Sequence, residues 1–225
     1  MSKPEFILAL TSGYVESQIG VGFTSVEQAK DMSLNLDFNA VFAQRERLDN
    51  KVNADHKGDR NYKQVIPYSI IPAVKGHVGS DTPLYCYKRS GGGESRLEGN
   101  VSIWFGGHVD LVDIWCDGPS RVNVLKTIHC AGIRELEEEL KILHPYEEEF
   151  SCFTGHVVQD LGYIYDDSND VGKLHVGFVN VVEPSHFNVH AKEAELVMLE
   201  PMTARELLSS GRNLENWTRL VCEWL

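Results

Sequence analysis

Positive charge is scarce in this sequence. Its 225 residues carry 21 Lys and Arg against 33 Asp and Glu, a formal net charge of −12. Affinity for a phosphate backbone rests on clustered Lys and Arg, so general nucleic-acid binding is excluded as the main role. Long apolar runs are missing too, since none approaches the ~20 residues that a membrane span needs. The opening Met1-Ser2-Lys3-Pro4-Glu5 precedes only the short apolar run Phe6 to Leu10, too little for a signal peptide. Cysteine is sparse and scattered: Cys86, Cys116, Cys130, Cys152 and Cys222 are odd in number and form no C-x-x-C pair. A disulfide scaffold and a zinc ribbon are both disfavoured. Internal repeats, low-complexity tracts and Pro-rich linkers are absent. These absences predict a soluble, acidic, cytoplasmic protein with reduced thiols.

What is present is ordinary globular material, 42% apolar and 24% charged, in a length that bounds one domain or one and a half. Phe6 to Leu10 reads as a strand, and the polar stretch Arg45 to Lys63 as a charged loop. From Val65 the texture becomes richer in β-branched and aromatic residues. Gln64 to Ile71, Pro83 to Arg89 and Asn100 to Phe105 read as strands, with Gly91-Gly92-Gly93 a flexible turn and Gly106-Gly107 a stop. Ser120 after Pro119 suits a helix N-cap, and the helical pattern runs from Arg121 to about Leu143. Gly155 to Val158 and Leu174 to Val182 are further strands, separated by the turn-forming cluster Asp166 to Asp170. Met202 to Ser210 and Leu214 to Leu225 read as closing helices. Strands on both sides of one long helix point to a mixed α/β sandwich rather than a regular βαβ repeat.

The chemistry lies in Ile133-Arg134-Glu135-Leu136-Glu137-Glu138-Glu139-Leu140-Lys141-Ile142. On a helix turning about 100° per residue, Glu135, Glu138 and Glu139 fall within roughly 100° of one another. Ile133, Leu136 and Leu140 fall on the opposite side, within roughly 60°, where they would bury against a sheet. Val122 and Leu125 continue that apolar face. Like charges at this spacing repel by a few tenths of a kcal/mol per pair. A hard divalent cation reverses the sign, because Mg²⁺ takes carboxylate oxygens and keeps waters for substrate phosphates. A solvated acidic face is the plainer alternative. The later run Glu147-Glu148-Glu149 lacks comparable context and reads as surface.

Upstream, Phe105-Gly106-Gly107-His108-Val109-Asp110-Leu111-Val112-Asp113 places a glycine turn and two acidic residues after a strand. Together these segments resemble the Nudix hydrolases, whose box reads G-x5-E-x7-R-E-U-x-E-E-x-G-U, with U a bulky aliphatic residue. Arg134, Glu135, Leu136, Glu138, Glu139 and Ile142 match its second half, and Gly107 with Asp113 its first. Asp113 stands for the usual Glu, Lys141 for a Gly, and twenty residues separate Asp113 from Arg134 where the family has seven. The flanks are similar to the bacterial and phage branch described as predicted phosphoesterases, through Gly91 to Leu97, Asp166 to Gly177 and Leu214 to Thr218. The likeness covers roughly residues 65 to 225.

The resemblance implies a Nudix-like α-β-α sandwich with a mixed sheet over residues 65–225, and residues 1–64 as an extension packed on it. It implies Mg²⁺ or Mn²⁺ and water attack on phosphorus in a small phosphorylated substrate, a nucleotide derivative. Glu135, Glu138, Glu139 and the carbonyl of Gly107 would be metal ligands. Arg134 would orient a box glutamate, Glu135 is the candidate base, and Asp113 takes the remaining box position. Glu193 or Glu195 is the expected extra carboxylate. Arg96 and Lys173 read either as phosphate contacts or as surface cations. His108 and His175 read as satisfied structural histidines, and Trp104, Phe105, Tyr163 and Tyr165 as core rather than base-stacking groups. A membrane partner is not expected, and a homodimer is allowed.

Rival readings are weaker. A Nudix-fold binding module without turnover stays open, because fold does not imply function. An EF-hand loop starting at Asp166 would need Gly at 171 and Glu at 177 but finds Val171 and Gly177. A thiol hydrolase on Cys130 and His129 fails because adjacent helical residues do not face each other.

Overall fold

The apolar run Phe6 to Leu10 forms a strand buried on both sides. Leu8 and Leu10 join one core cluster, whereas Ile7 and Ala9 join another with Leu48. Alternate residues of a strand point to opposite faces, so an uninterrupted apolar run fits this position. The computed structural model describes residues 4–29, 36–49, 59–90, 98–119, 121–143 and 150–225.

The elements begin with β1 (Phe6–Thr11), α1 (Ser12–Gln18), β2 (Gly22–Ser25), α2 (Leu36–Asn39), β3 (Ala40–Gln44), α3 (Arg45–Leu48) and β4 (Tyr62–Ile70). Then come β5 (Tyr87–Arg89), β6 (Val101–Ser102), β7 (Trp104–Phe105), α4 (Val124–Glu139), β8 (Leu140–Leu143), β9 (Phe150–Cys152) and β10 (Gly155–Tyr165). The chain closes with β11 (His175–Pro184), β12 (Val189–Ala191), β13 (Leu196–Met198), α5 (Ala204–Ser209) and α6 (Asn216–Trp224).

Two compact units emerge. The first comprises Met1–Tyr68, Gly106–Gly132 and Leu161–Val179; the second comprises Ser69–Phe105, Ile133–Asp160 and Asn180–Leu225. The main sheet has seven strands in the order β2-β10-β11-β4-β1-β3, with β7 pairing β4. In the first unit β1 pairs antiparallel with β3, Leu8 opposite Phe42, and with β4, Ala9 opposite Gln64. Residues 109 and 110 extend the ladder, since the Leu8 N–H donates to the Val109 carbonyl at 2.9 Å. The core here gathers Leu8, Leu10, Val15, Val65, Val124, Ile128, Tyr163 and Phe178.

The second unit holds two three-stranded sheets, β12-β8-β9 and β13-β5-β6. Its core gathers Tyr85, Tyr87, Phe105, Leu136, Leu140, Ile142, Phe153 and Val189. The N-terminus of α5 carries a capping box, in which the Glu206 N–H donates to Thr203 Oγ1 and the Thr203 N–H to Glu206 Oε2. This satisfies donors that a first helical turn leaves open. Among the described residues no helix is long and apolar enough to cross a membrane.

Several sequence expectations need correction. The helix expected over Arg121 to Leu143 is α4, which stops at Glu139, and Leu140 to Leu143 form β8. The reason lies in the alternation there: Leu140 and Ile142 are buried, and both main-chain edges of the segment pair, with β12 and with β9. The charged segment after Gln44 includes the one-turn helix α3, whose Leu48 is buried and whose Arg45 bonds Glu5 at 2.9 Å. The strand expected over Pro83 to Arg89 shrinks to β5, and the one over Asn100 to Phe105 divides into β6 and β7. Ser120, Gly91 to Gly93 and Glu147 to Glu149 lie outside the described residues.

Gly162 on β10 lies where β2 comes close. A Cβ there would meet the Thr24 carbonyl oxygen at 2.2 Å and the Phe23 ring at 2.7 Å. Backbone oxygen yields little, so Gly162→Ala should cost about 1–3 kcal/mol as overpacking. Urea unfolding measures this, and an unchanged midpoint would contradict the tight β2–β10 approach.

The thiols make a second check. Cys116 and Cys152 are exposed, Cys130 is partly buried, and Cys86 and Cys222 are buried. Burial pushes the Cys86 thiol up to about 11 and the Cys222 thiol up to about 12. Thiolate is the reactive form, so at pH 8 a disulfide reagent should titrate Cys116 and Cys152 rapidly and reach Cys86 and Cys222 only after denaturation. Rapid reaction at all five positions would overturn the burial of this pair.

Candidate active site

Helix α4 is built so that its buried residues track a helical stripe. Val124, Ile128 and Ala131 enter the core of the first unit, and Leu136 enters that of the second. Its start is capped by Asn123, whose Oδ1 accepts from the Lys126 N–H at 2.9 Å. Asn is a favoured N-cap because its short carbonyl reaches the open N–H groups of the first turn. Asp37 Oδ1 takes the Val124 N–H at 3.2 Å.

The residues that the resemblance reads as containing an insertion, 114–133, divide between the loop leading into this helix and the first turns of the helix itself. Cys116 and Val122 form an antiparallel bridge, and the Asp117 N–H donates to the Arg121 carbonyl at 2.9 Å. Thr127 Oγ1 accepts from the Trp115 N–H at 3.0 Å, and Lys126 Nζ lies 3.0 Å from Asp117. The loop residues thus close on themselves and are stapled to the first turn of α4.

At the other end of α4 the acidic turn is organised around Arg134. Its Nη1 donates to Glu135 Oε1 at 2.8 Å and to Glu138 Oε1 at 3.2 Å. Arg134 and Glu135 are largely shielded, at 23% and 15% side-chain exposure, whereas Glu138 is open at 58%. A charge-assisted bond in that semi-buried setting is stronger than a surface pair. Glu139 follows, with Oε2 buried.

The main chain leaves the helix directly into β8. Ala191 on β12 sits opposite Leu140, and one step further the Lys192 N–H donates to the Glu139 carbonyl at 2.7 Å. The Lys192 ammonium donates to the Glu137 carbonyl. Two carbonyls that a helix end leaves open are therefore taken by one residue. Lys141, where the box has Gly, lies within β8 opposite His190 and Cys152, and its ammonium stands 4.2 Å from the Phe150 ring centroid.

Arg89 and Tyr87 on β5 feel the same carboxylate. Arg89 Nη2 donates to the Tyr87 hydroxyl at 3.1 Å. Burial pushes the Tyr87 phenol well up, the Arg89 charge opposes this, and Glu139 and Glu215 add to the rise. Burial disfavours the Arg89 charge, but Tyr87, Glu139 and Glu215 outweigh it and raise its pKa. Glu215 itself accepts from Ser102 Oγ at 3.1 Å and from the Trp104 indole.

The remaining predicted residues are distributed as follows. Gly106 takes φ of 150°, a conformation suited to glycine, and partly buried Gly107 follows it into the first unit. Asp113 is buried in a single 3-10 turn, Leu111–Asp113, and its carboxylate accepts from the Asp110 N–H at 2.7 Å. Its charge contributes to raising the Cys130 thiol, after burial. Lys173 faces Asp170 at 3.6 Å, and its carbonyl accepts from the buried Lys63 ammonium at 2.7 Å. Arg96 lies outside the described residues. Glu193 and Glu195 have exposed side chains, and the Glu195 carbonyl accepts from the Ser90 N–H at 2.8 Å. His108 Nε2 bonds Gln64 Oε1 at 2.9 Å, and His175 Nδ1 bonds the Val171 carbonyl at 2.7 Å. Phe105 and Tyr163 pack in the cores, against Tyr87 and Phe178.

Among the described residues no three His, Cys, Asp or Glu side chains are gathered into a ready metal cage. The donor set still suits a hard divalent ion, because it consists of carboxylate oxygens. The Arg134 guanidinium already serves as a cation shared by Glu135 and Glu138. Sequence reasoning missed Lys192, Arg89 and Tyr87. No local signal marks them, because each reaches the turn through strand pairing with distant segments.

No protein-family model matches the chain. Protein YmaB of Bacillus subtilis (strain 168) is 34% identical over 175 residues, which is 76% of this chain and 75% of that protein. The crystal structure of Tm1382, a protein proposed to be a Nudix hydrolase, aligns over 98% of this chain and 97% of its own. Its TM-score is 0.64 and its identity 22%. A NUDIX hydrolase from Alicyclobacillus acidocaldarius aligns over 72% of this chain and 90% of its own with TM-score 0.42 and 13% identity, too distant to add to this. The chain belongs to the same family as Protein YmaB and has a mixed α/β fold of the Nudix type.

Proposed function

We propose that this protein is a metal-dependent hydrolase of a nucleoside-diphosphate-linked substrate or a related phosphoanhydride or phosphoester. The observation that carries the proposal is the Arg134–Glu135–Glu138 arrangement, with Glu139 beside it, on the last turns of α4 in a chain of this fold. The likeness of the flanking segments to the bacterial and phage phosphoesterase branch supports the same reading.

In this proposal Glu135, Glu138 and Glu139, with the Gly107 carbonyl, hold Mg²⁺ or Mn²⁺. Bound metal supplies charge neutralisation at the phosphate oxygens and acidifies coordinated water. Arg134 fixes the direction of the Glu135 carboxylate, which receives the proton of the attacking water. Arg134 also limits repulsion between Glu135 and Glu138 before any ligand arrives. Asp113 acts only locally, fixing the turn after the glycines through its bond to the Asp110 N–H. Lys173 supplies a cation near the Asp166 to Leu174 loop, and Arg96 stands as a further phosphate contact. A protein of net charge −12 gains affinity for an anionic substrate through such cations.

Incubation with nucleoside triphosphates, dinucleoside polyphosphates, nucleotide sugars and ADP-ribose should give Mg²⁺- or Mn²⁺-dependent release of phosphate-containing products, abolished by EDTA. Metal charge stabilisation is worth several kcal/mol, so Glu138→Gln and Glu139→Gln should each lower kcat by roughly a hundredfold or more. Metal and nucleotide binding without turnover would favour the binding module. Absence of metal binding would sink the carboxylate site.

Arg134→Lys should be only a partial replacement. Both bonds leave one guanidinium nitrogen, and a more strongly hydrated ammonium on a different stem does not reproduce its position, so turnover or Mn²⁺ affinity should fall about 10–100-fold, as for other residues that orient ligands. Titration of Mn²⁺ by electron paramagnetic resonance measures the second quantity; unchanged affinity would argue that Arg134 serves stability alone.

A further inference from the structure

The acidic turn ends in an unusual way. Many helices finish with a left-handed residue that closes their last carbonyls, but here Glu139 is followed at once by the extended β8. The C-terminal carbonyls are closed instead by β12 and the residue after it. In the β8–β12 ladder Val189 pairs with Ile142, His190 with Lys141 and Ala191 with Leu140. Lys192 adds the next rung, from its N–H to the Glu139 carbonyl at 2.7 Å, so the ladder runs onto the last helical residue. The same residue's ammonium reaches back to the Glu137 carbonyl. A cation at that place also opposes the negative end of the helix dipole.

The segment from Lys192 to Leu196 continues to a second anchor. Leu196 on β13 pairs with Arg89, and the Ser90 N–H donates to the Glu195 carbonyl at 2.8 Å. Five residues thus tie the end of α4 to the end of β5, where Arg89 senses the Glu139 charge. The backbone of Glu137 to Glu139 is held by contacts that do not involve the carboxylates themselves.

We propose that Lys192 is a positioning residue, holding the C-terminal end of α4 in the backbone geometry that presents Glu138 and Glu139 to a divalent cation. This rests on the carboxylate site proposed above. Lys192 touches neither substrate nor metal. It acts through the main chain of the turn, and its contribution is geometric: carboxylates on a fraying last turn spread over many orientations, whereas carboxylates on a pinned turn stay together.

The test is Mn²⁺ affinity of the full chain without substrate, read by electron paramagnetic resonance, with thermal melting beside it. The variants are Lys192→Met, which keeps the apolar stem and removes the donor, and Lys192→Arg, which keeps a donor. Lys75→Met is the control, since its exposed ammonium lies 3.6 Å from the partly buried Glu183 of the same unit. Lys192→Met should weaken Mn²⁺ binding about tenfold or more, the range seen when ligand-orienting residues are removed. Lys192→Arg should bind within about twofold of wild type, as donor rescue predicts, and Lys75→Met should match wild type. Should Lys192→Met fail to fold, Lys192→Gln, whose amide is too short for the Glu137 carbonyl, reads the same affinity. Wild-type affinity in folded Lys192→Met or Lys192→Gln would overturn the positioning role and leave the carboxylate site standing. A folded Lys192→Arg as weak as Lys192→Met would overturn it as well. A wild type that binds no Mn²⁺ would overturn both readings together.

Discussion

Glu135, Glu138 and Glu139 share about one turn of α4, and their mutual repulsion is the constraint that the surrounding structure answers. In water such spacing costs a few tenths of a kcal/mol per pair, but partial burial removes the solvent that makes it so cheap. The structure offsets it with Arg134 between Glu135 and Glu138, with Arg89 near Glu139, and with Leu136 buried on the opposite side of the turn. Burial of that single leucine is worth about 2 kcal/mol. The acidic turn is therefore held by its apolar back and by cations from within and beyond the helix.

A second cost of the same kind is met in the first unit by Lys63, whose side chain is 4% exposed. A buried ammonium is expensive unless its protons are taken. Lys63 donates to the Lys173 carbonyl at 2.7 Å and to the Tyr165 hydroxyl at 3.3 Å, and lies 3.3 Å from Glu16. These partners come from α1, β10 and the loop before β11, so one satisfied charge draws three segments together. Gly172 belongs to the same loop because a Cβ there would meet the Asp166 carbonyl oxygen at 2.2 Å. The turn-forming composition of Asp166 to Asp170 is thus completed by Asp166 Oδ1 accepting from the Ser168 N–H and Asn169 Oδ1 accepting from the Val171 and Gly172 N–H groups.

Departures from the Nudix pattern that the sequence resembles have local surroundings that accommodate them. Lys141, which the resemblance aligns with a glycine, lies in extended strand, where a side chain is free to stand off the sheet. The loop before α4 leaves the helix intact because it is closed by its own bridge and pinned to Thr127 and Lys126. Loop length costs little once the ends are fixed, since closure entropy grows only logarithmically. Asp113, which the resemblance aligns with a Glu of the Nudix box, caps its own turn with its carboxylate.

Local pattern determined much of this protein. The strand at Phe6 to Leu10, the long β4, the amphipathic course of α4, the turn at Asp166 and the closing helices were all legible, because apolar spacing and turn chemistry act over a few residues. So was the placing of Glu135, Glu138 and Glu139 on one helix, which follows from local pattern alone. Tertiary structure decided where α4 ends. Leu140 to Leu143 continue a helical stripe as well as they begin a strand, and only pairing with β9 and β12 selects the strand. It also decided that Lys192, more than fifty residues downstream, closes the helix, and that the charge of Glu139 is felt at Arg89 and Tyr87. Such partners meet through ladder register and burial, which no short stretch of sequence encodes.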